Sequence, residues 1–291
     1  MHNLIESLIE SGPVVTDGSW GTQMHKRGLE SGECPDSWNL SHPDQVLEVA
    51  RQYVDAGSRI ILTNTFGASR LSLDKYKLGD RAEEINTAGV EISKNAAGER
   101  ACVFASIGPS GKMLITQETT EDELQSCFEE QADAQARAGA DGIIIETMID
   151  IGEARIAAIA AKQTGLPVIV SMVYDSGENK DHTMMGNTPE DVVEAITKIG
   201  VDGIGANCGQ GIEAFLPICK RLRQATDLPI WIKPNAGLPE IVDDKTVFRT
   251  TAREFVSYVP DLIHAGANFV GGCCGSDQEF VKAIRETVTG L

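Results

Sequence analysis

The sequence predicts an α/β protein built as a single (β/α)8 (TIM) barrel, and three observations predict it. Eight short runs rich in β-branched residues recur along the chain. They are continuous rather than alternating, as strands buried on both faces must be. Stretches with helical spacing of apolar residues lie between them, and strict strand–helix alternation is the pattern of a parallel sheet. A chain of 291 residues also leaves little over once a closed barrel of about 250 residues is built. One domain spanning 1–291 is expected, with no linker or low-complexity tract. An open doubly wound sheet is the competing arrangement, but no GxGxxG opens the first helix to recommend its dinucleotide-binding form.

In chain order the runs are PVVTD around Val15, RIILTN around Ile61, CVFASIG around Phe104 and GIIIE around Ile144. PVIVSMV around Ile169, VDGIGAN around Ile204, LPIWIKPN around Ile232 and NFVGG around Val270 complete the set. Helical spacing of apolar residues marks EEINTAGVEISKNAA before the third run. EDELQSCFEEQADAQARAGA stops at Gly139, and GEARIAAIAAKQTG stops at Gly165. NTPEDVVEAITKIG opens on Thr188 as N-cap, with Pro189 in the first turn and Asp191 at the capping-box position, and stops at Gly200. TAREFVSYVPDLIHAG carries Pro260, where a kink or break is expected.

Composition narrows the function classes. A formal net charge of −18 with no basic cluster argues against nucleic acid, where phosphate neutralisation dominates affinity, and against anionic membranes. The start, MHNLIESLIESG, lacks the charge and apolar core of an export signal, and no apolar run approaches a membrane span of about 20 residues. Seven scattered cysteines then suit a reducing cytoplasm, with free or metal-bound thiols.

In such a barrel the chemistry sits at the C-terminal ends of the strands. The residues there are Asp17, Asn64, the Gly108 turn, Glu146, Ser171, Asn207 with Cys208, Lys233 with Asn235, and Cys273 with Cys274. The adjacent pair poses a question. A disulfide between them would be strained, since neighbouring Cα atoms lie about 3.80 Å apart and a relaxed bridge wants roughly 4.4–6.8 Å. They are either ordinary thiols or two ligands of one soft ion. Cys208 favours the second. Its strand is separated from theirs by one, so three sulfurs can converge on one zinc ion with a tetrahedral position open. Glycines 271, 272 and 275 give the pair the backbone freedom to turn both side chains to one point.

Three thiolates already offset the charge of zinc, which makes the site a poor activator of water and a better one for a substrate thiol. A zinc-bound thiol is deprotonated at neutral pH. Glu146 reads as a helix cap or as a counter-charge for a substrate ammonium, and Asp17 as a turn residue or a pocket anchor. Thr63, Asn64 and Thr65 lie at the rim. Lys233 reads as a structural cation paired with Asp or Glu inside the ring, or as a Schiff-base amine in a lyase. Cys34, Cys102, Cys127 and Cys219 read as loop or core thiols, and His264 as a packed helix residue.

The motifs DGSWGT (17–22), TNTF (63–66), ET (146–147), GANC (205–208), KPNAGLP (233–239) and GGCCG (271–275) occur in this order. In this the chain resembles the homocysteine S-methyltransferase family, most of all the homocysteine-binding module of cobalamin-dependent methionine synthases. The resemblance spans nearly the whole chain. It implies a barrel holding Zn2+ on Cys208, Cys273 and Cys274, with homocysteine as acceptor. It implies Asp17 and Glu146 at the amino-acid head, helped by backbone near Gly18–Thr22 and by Thr63 and Asn64. Gly67 stands where betaine-using members carry tyrosine, which argues against betaine as donor. Ser276-Asp277-Gln278 replaces the usual Thr-x-Pro, with Ser276 expected to cap the final helix. No folate barrel and no DxHxxG corrinoid motif is in the sequence, so the expected donor is a separate methylcorrinoid protein or a small sulfonium or ammonium compound. A Schiff-base lyase using Lys233, and a non-catalytic subunit binding zinc or a corrinoid partner, are the competing functions.

Overall fold

A computed structural model describes residues 1–242 and 245–290 of the chain. Each apolar run forms a strand: β1 Val14–Val15, β2 Ile60–Leu62, β3 Cys102–Ile107, β4 Gly142–Met148, β5 Val168–Met172, β6 Gly203–Gly211, β7 Ile230–Asn235 and β8 Ala267–Val270. All ladders of this eight-stranded sheet are parallel, in the order β1-β8-β7-β6-β5-β4-β3-β2. Helices alternate with them, so the architecture is the (β/α)8 barrel. The remaining seam, between β1 and β2, has no ladder among the described residues. Arg59 N donates to Val15 O across it at 2.8 Å, and Leu62 N donates to the Asp17 carboxylate at 2.8 Å.

The alternation of side chains along a strand explains why the runs look uniformly apolar. Val14, Ile60, Leu62, Phe104, Ile144, Ile169, Trp231 and Phe269 point into the barrel and form one core. Their neighbours Val15, Ile61, Val103, Ile143, Val170, Ile232 and Val270 face the helices and join a larger outer core. Inside, the Trp231 ring lies 6.4 Å from Phe104 in a stacked arrangement and 5.4 Å from Phe269. The helix Asn3–Ile9 closes the lower end, seating Ile5 and Leu8 on this inner core. His2 N ties it to Asp202 Oδ1 at 2.7 Å.

Two residues above the apolar layer, the inward positions turn polar: Phe104 gives way to Ser106, Ile144 to Glu146, Ile169 to Ser171, and Trp231 to Lys233 and Asn235. This is the floor of the site. The helices end where expected, with positive φ at Gly139, Gly165 and Gly200, and Thr188 and Asp191 form the capping box. Pro260 lies in the first turn of a new helix, Val259–His264, after Ala252–Val256 has ended. One expectation changes. The cap of the last helix, Gln278–Thr289, is Asp277, whose side chain accepts from Glu279 N. Ser276 instead donates its hydroxyl to Cys273 O at 2.7 Å, because it is the turn after the cysteine pair that needs fastening. No helix among the described residues is long and apolar enough to cross a membrane.

Candidate active site

Cys208, Cys273 and Cys274 converge at the open end of the barrel. Their Sγ atoms all lie within 4.8 Å of one another, with Cys208 and Cys274 at 3.9 Å. Tetrahedral zinc with bonds of about 2.3 Å separates its sulfur ligands by about 3.8 Å, so the three thiols fit such an ion in type and spacing. Backbone hydrogen bonds hold the pair in place. Cys273 N donates to Pro234 O at 2.7 Å, Cys274 N to Asn235 Oδ1 at 3.0 Å, and Ala236 N to Cys274 O at 2.9 Å. Gly275 closes the turn at φ 84°, and a Cβ there would run into the Phe248 ring at 2.3 Å. All seven cysteines are free thiols. Cys34, Cys102, Cys127 and Cys219 lie outside the cluster.

The cluster titrates as a unit. Hydrogen bonds from Cys273 and then Cys274 draw the Cys208 thiol down to about 3. The same sharing with Cys208 pushes Cys273 well above its ordinary value and Cys274 up to about 12.

Below the thiols lies a set of buried charges. Lys233 and Asp17 form an ion pair with side chains 3% and 0% exposed. Burial alone would depress the Lys233 ammonium, but the Asp17 and Glu146 carboxylates override it and hold it above its ordinary value. That environment suits a permanent cation rather than an amine nucleophile, which must be neutral to attack. Asp17 is saturated: Oδ1 takes Lys233, and Oδ2 accepts from Trp20 Nε1 and Leu62 N, both at 2.8 Å. Glu146 differs. Ser106 Oγ donates to its Oε1 at 2.6 Å, and its other oxygen has no partner among the described residues. Burial pushes its carboxyl up, against the opposing pull of Lys233 and Ser106.

The remaining expected residues are placed as follows. Gly18 lies beneath Tyr53 and Ser276; a Cβ there would meet the Tyr53 ring edge at 2.9 Å. Thr63 pairs its hydroxyl with Thr65 at 2.6 Å and accepts from Ser106 N at 3.0 Å. Asn64 turns from the barrel axis and donates to Pro35 O at 2.8 Å and Asn39 Oδ1 at 3.1 Å. Ser106 carries no motif of its own, and Trp20 lies inside DGSWGT without any role assigned to it there; only their partners in the fold identify what they do. Asn207 was visible as a strand-end residue, but its contacts were not.

A profile of the family described as "Homocysteine S-methyltransferase" matches residues 14–288. Methionine synthase of Mycobacterium leprae is 27% identical over 98% of this chain and 25% of its own length. That of Mycobacterium tuberculosis is 26% identical over 96% and 25%. The chain thus spans about a quarter of the length of these relatives. Among solved structures, the homocysteine methyltransferase MmuM of Escherichia coli superposes with a TM-score of 0.82 in its oxidised form and 0.81 in its metallated form. Each covers 97% of this chain and 99% of that one, at 20% identity, a likeness of fold.

Proposed function

The chain belongs to the homocysteine S-methyltransferase family, and from that premise we propose that it moves a methyl group onto the thiol of homocysteine, yielding methionine. The observation that carries this reading is the convergence of three thiols beside a buried, half-satisfied carboxylate at the open end of the barrel. Cys208, Cys273 and Cys274 would hold zinc(II). When bound, the ion would supply the charge that keeps the acceptor sulfur deprotonated at neutral pH.

The chain's own residues do the rest. Asp17 and Glu146 flank one lysine, so the ionised set carries a single net negative charge, the complement of one substrate ammonium. Glu146 takes the ammonium on its free oxygen. Asp17, with both oxygens engaged, holds Lys233 charged and keeps the floor rigid. Backbone at Gly18 and the Thr63 rim help orient the amino-acid head, and Asn64 acts by fastening its loop. Removing water from around Glu146 strengthens its attraction for the ammonium. The whole span 1–291 acts as one homocysteine-binding barrel in this reading. The donor is a separate methylcorrinoid protein or a small sulfonium or ammonium compound.

The test is zinc per chain by elemental analysis, together with methionine formation from homocysteine and either methylcobalamin or S-methylmethionine, in wild type and Cys273→Ala. About one zinc and methionine from one donor in the wild type, both lost in the variant, is expected. Undiminished methionine formation by the metal-free variant would sink the proposal.

A further inference from the structure

Two irregularities in the sheet hold the proposed site, and one side chain joins them. In the β4–β5 ladder the pairs Ile145↔Val170 and Met148↔Met172 bracket Glu146 and Thr147 on one strand against Ser171 alone on the other. In the β6–β7 ladder the pairs Asn207↔Lys233 and Gly211↔Asn235 bracket Cys208, Gly209 and Gln210 against Pro234. Extra residues of this kind bend a strand and re-aim its side chains. Both bulges also force a residue with a side chain into the left-handed region, Thr147 at φ 63° and Cys208 at φ 61°. For a β-branched threonine this is a genuine outlier that its surroundings must hold in place.

Asn207 supplies the hold. It is 0% exposed. Its Oδ1 accepts from Thr147 N at 2.9 Å and from Ser171 Oγ at 2.6 Å. Its Nδ2 donates to Thr147 Oγ1 at 2.7 Å and faces Cys273 Sγ at 4.0 Å. The amide left without a ladder partner by the β4 bulge is therefore satisfied by a side chain that immediately precedes Cys208. Only a carboxamide offers an acceptor and a donor at that reach. A carboxylate could accept from the Thr147 hydroxyl instead, but it would offer no donor toward Cys273 Sγ and would add charge beside the thiols.

We infer that Asn207 is a positioning residue that clamps the two bulges together and so fixes Glu146, which binds the head group, relative to Cys208 and Cys273, which hold the sulfur. This rests on the proposed function for what the two ends bind, but the clamp itself can be read without substrate or metal.

The experiment compares Asn207→Ala, Thr147→Gly and the double variant. Glycine adopts the left-handed backbone unaided, so it removes the need for the clamp on the β4 side. In metal-free protein, amide exchange at Thr147 becomes at least about tenfold faster in Asn207→Ala while amides at the lower end of the barrel keep their protection. In the loaded protein, Asn207→Ala raises the homocysteine KM by about 10–100-fold and weakens cobalt(II) binding, read by chelator competition, by a similar factor. Thr147→Gly in the Asn207→Ala background returns KM to within about threefold of Thr147→Gly alone, the non-additivity of residues in contact. Unchanged Thr147 exchange in Asn207→Ala would overturn the inference. So would strictly additive KM effects. If the wild type neither binds cobalt(II) nor forms methionine, the proposed function fails, while the exchange measurement still decides the clamp.

Discussion

At the closed end of the barrel Asp202 accepts from His2 N at 2.7 Å, Val168 N at 3.1 Å and Lys162 Nζ at 2.9 Å. At the open end Glu146 accepts from one serine hydroxyl at 2.6 Å. Both carboxylates are buried, Glu146 on β4 and Asp202 in the bend that leads into β6. Asp202 sits below its ordinary value, because Lys162 and two backbone amides outweigh its burial. Glu146 sits above its own, because burial wins. The difference teaches where this barrel keeps its unfinished bonds. At the lower end Asp202 is saturated and holds the N-terminal helix in place. The mouth keeps a Glu146 oxygen without a partner among the described residues, three converging thiols and two side-chain-bearing residues in left-handed backbone. Conservation of effort at the lower end and strain at the mouth is the division expected of this fold.

Three substitutions would break or sharpen that comparison. The largest effect is expected from Cys208→Ala, which should lower methyl transfer at least about 100-fold, with loss of bound metal. Because this residue serves the mouth alone, the thermal midpoint of the metal-free protein should move by no more than about 2 °C. A large loss of metal-free stability would show that the cluster is structural.

Asp202→Ala should act in the opposite sense. Two backbone donors and a lysine lose their acceptor, a loss of about 3 kcal/mol in urea denaturation, while metal content and KM stay as in the wild type. With its carboxyl held down in the folded state, Asp202 contributes its charged interactions above its ordinary 3.8, and they fade as pH falls through the lower folded value. The gap between variant and wild type should therefore narrow in strong acid. A changed KM would mean that the two ends are coupled.

The subtlest effect, and the most diagnostic, belongs to Glu146→Gln. The folded protein holds this carboxyl above its ordinary 4.5, so its titration opposes folding as pH rises from that ordinary value, and the cost is complete once pH passes the raised folded value. The glutamine variant should melt at a higher temperature than the wild type at pH 7, and the advantage should vanish below about pH 4.5. Its homocysteine KM should rise about tenfold or more as the ammonium loses its counter-charge. A variant less stable at pH 7 would place Glu146 with the structural carboxylates.

Much of this was legible in the sequence, for physical reasons. Strands buried on both faces must be apolar throughout, so all eight runs stood out, and the polar residues ending them marked the mouth. The cysteine pair was conspicuous because adjacent thiols flanked by glycine have few ordinary uses. The helix Asn3–Ile9 was not legible, because seven residues with two inward apolar positions look like any short amphipathic segment until the barrel gives them a cavity to close. Nor was the antiparallel pairing of Glu240–Val242 with Lys245–Val247, because Glu240–Val242 is exposed along its length and carries no burial pattern. Ser276 illustrates the limit of local rules: it has cap chemistry, but a tertiary demand one turn earlier claims its hydroxyl. Asn207 illustrates another, since a buried carboxamide announces nothing about the strand two positions away that it holds.

The seam between β1 and β2 has one more consequence. A side chain of the mouth, Asp17, stands in there for a rung of the sheet by accepting from Leu62 N, and the same carboxylate holds Lys233. Events among the charges of the pocket are thereby wired to the wall that contains them. The Leu62 amide is a built-in reporter: its proton resonance should shift when an amino acid enters the pocket and perturbs Asp17. Occupancy of the pocket can thereby be read from an amide in the barrel's last joint.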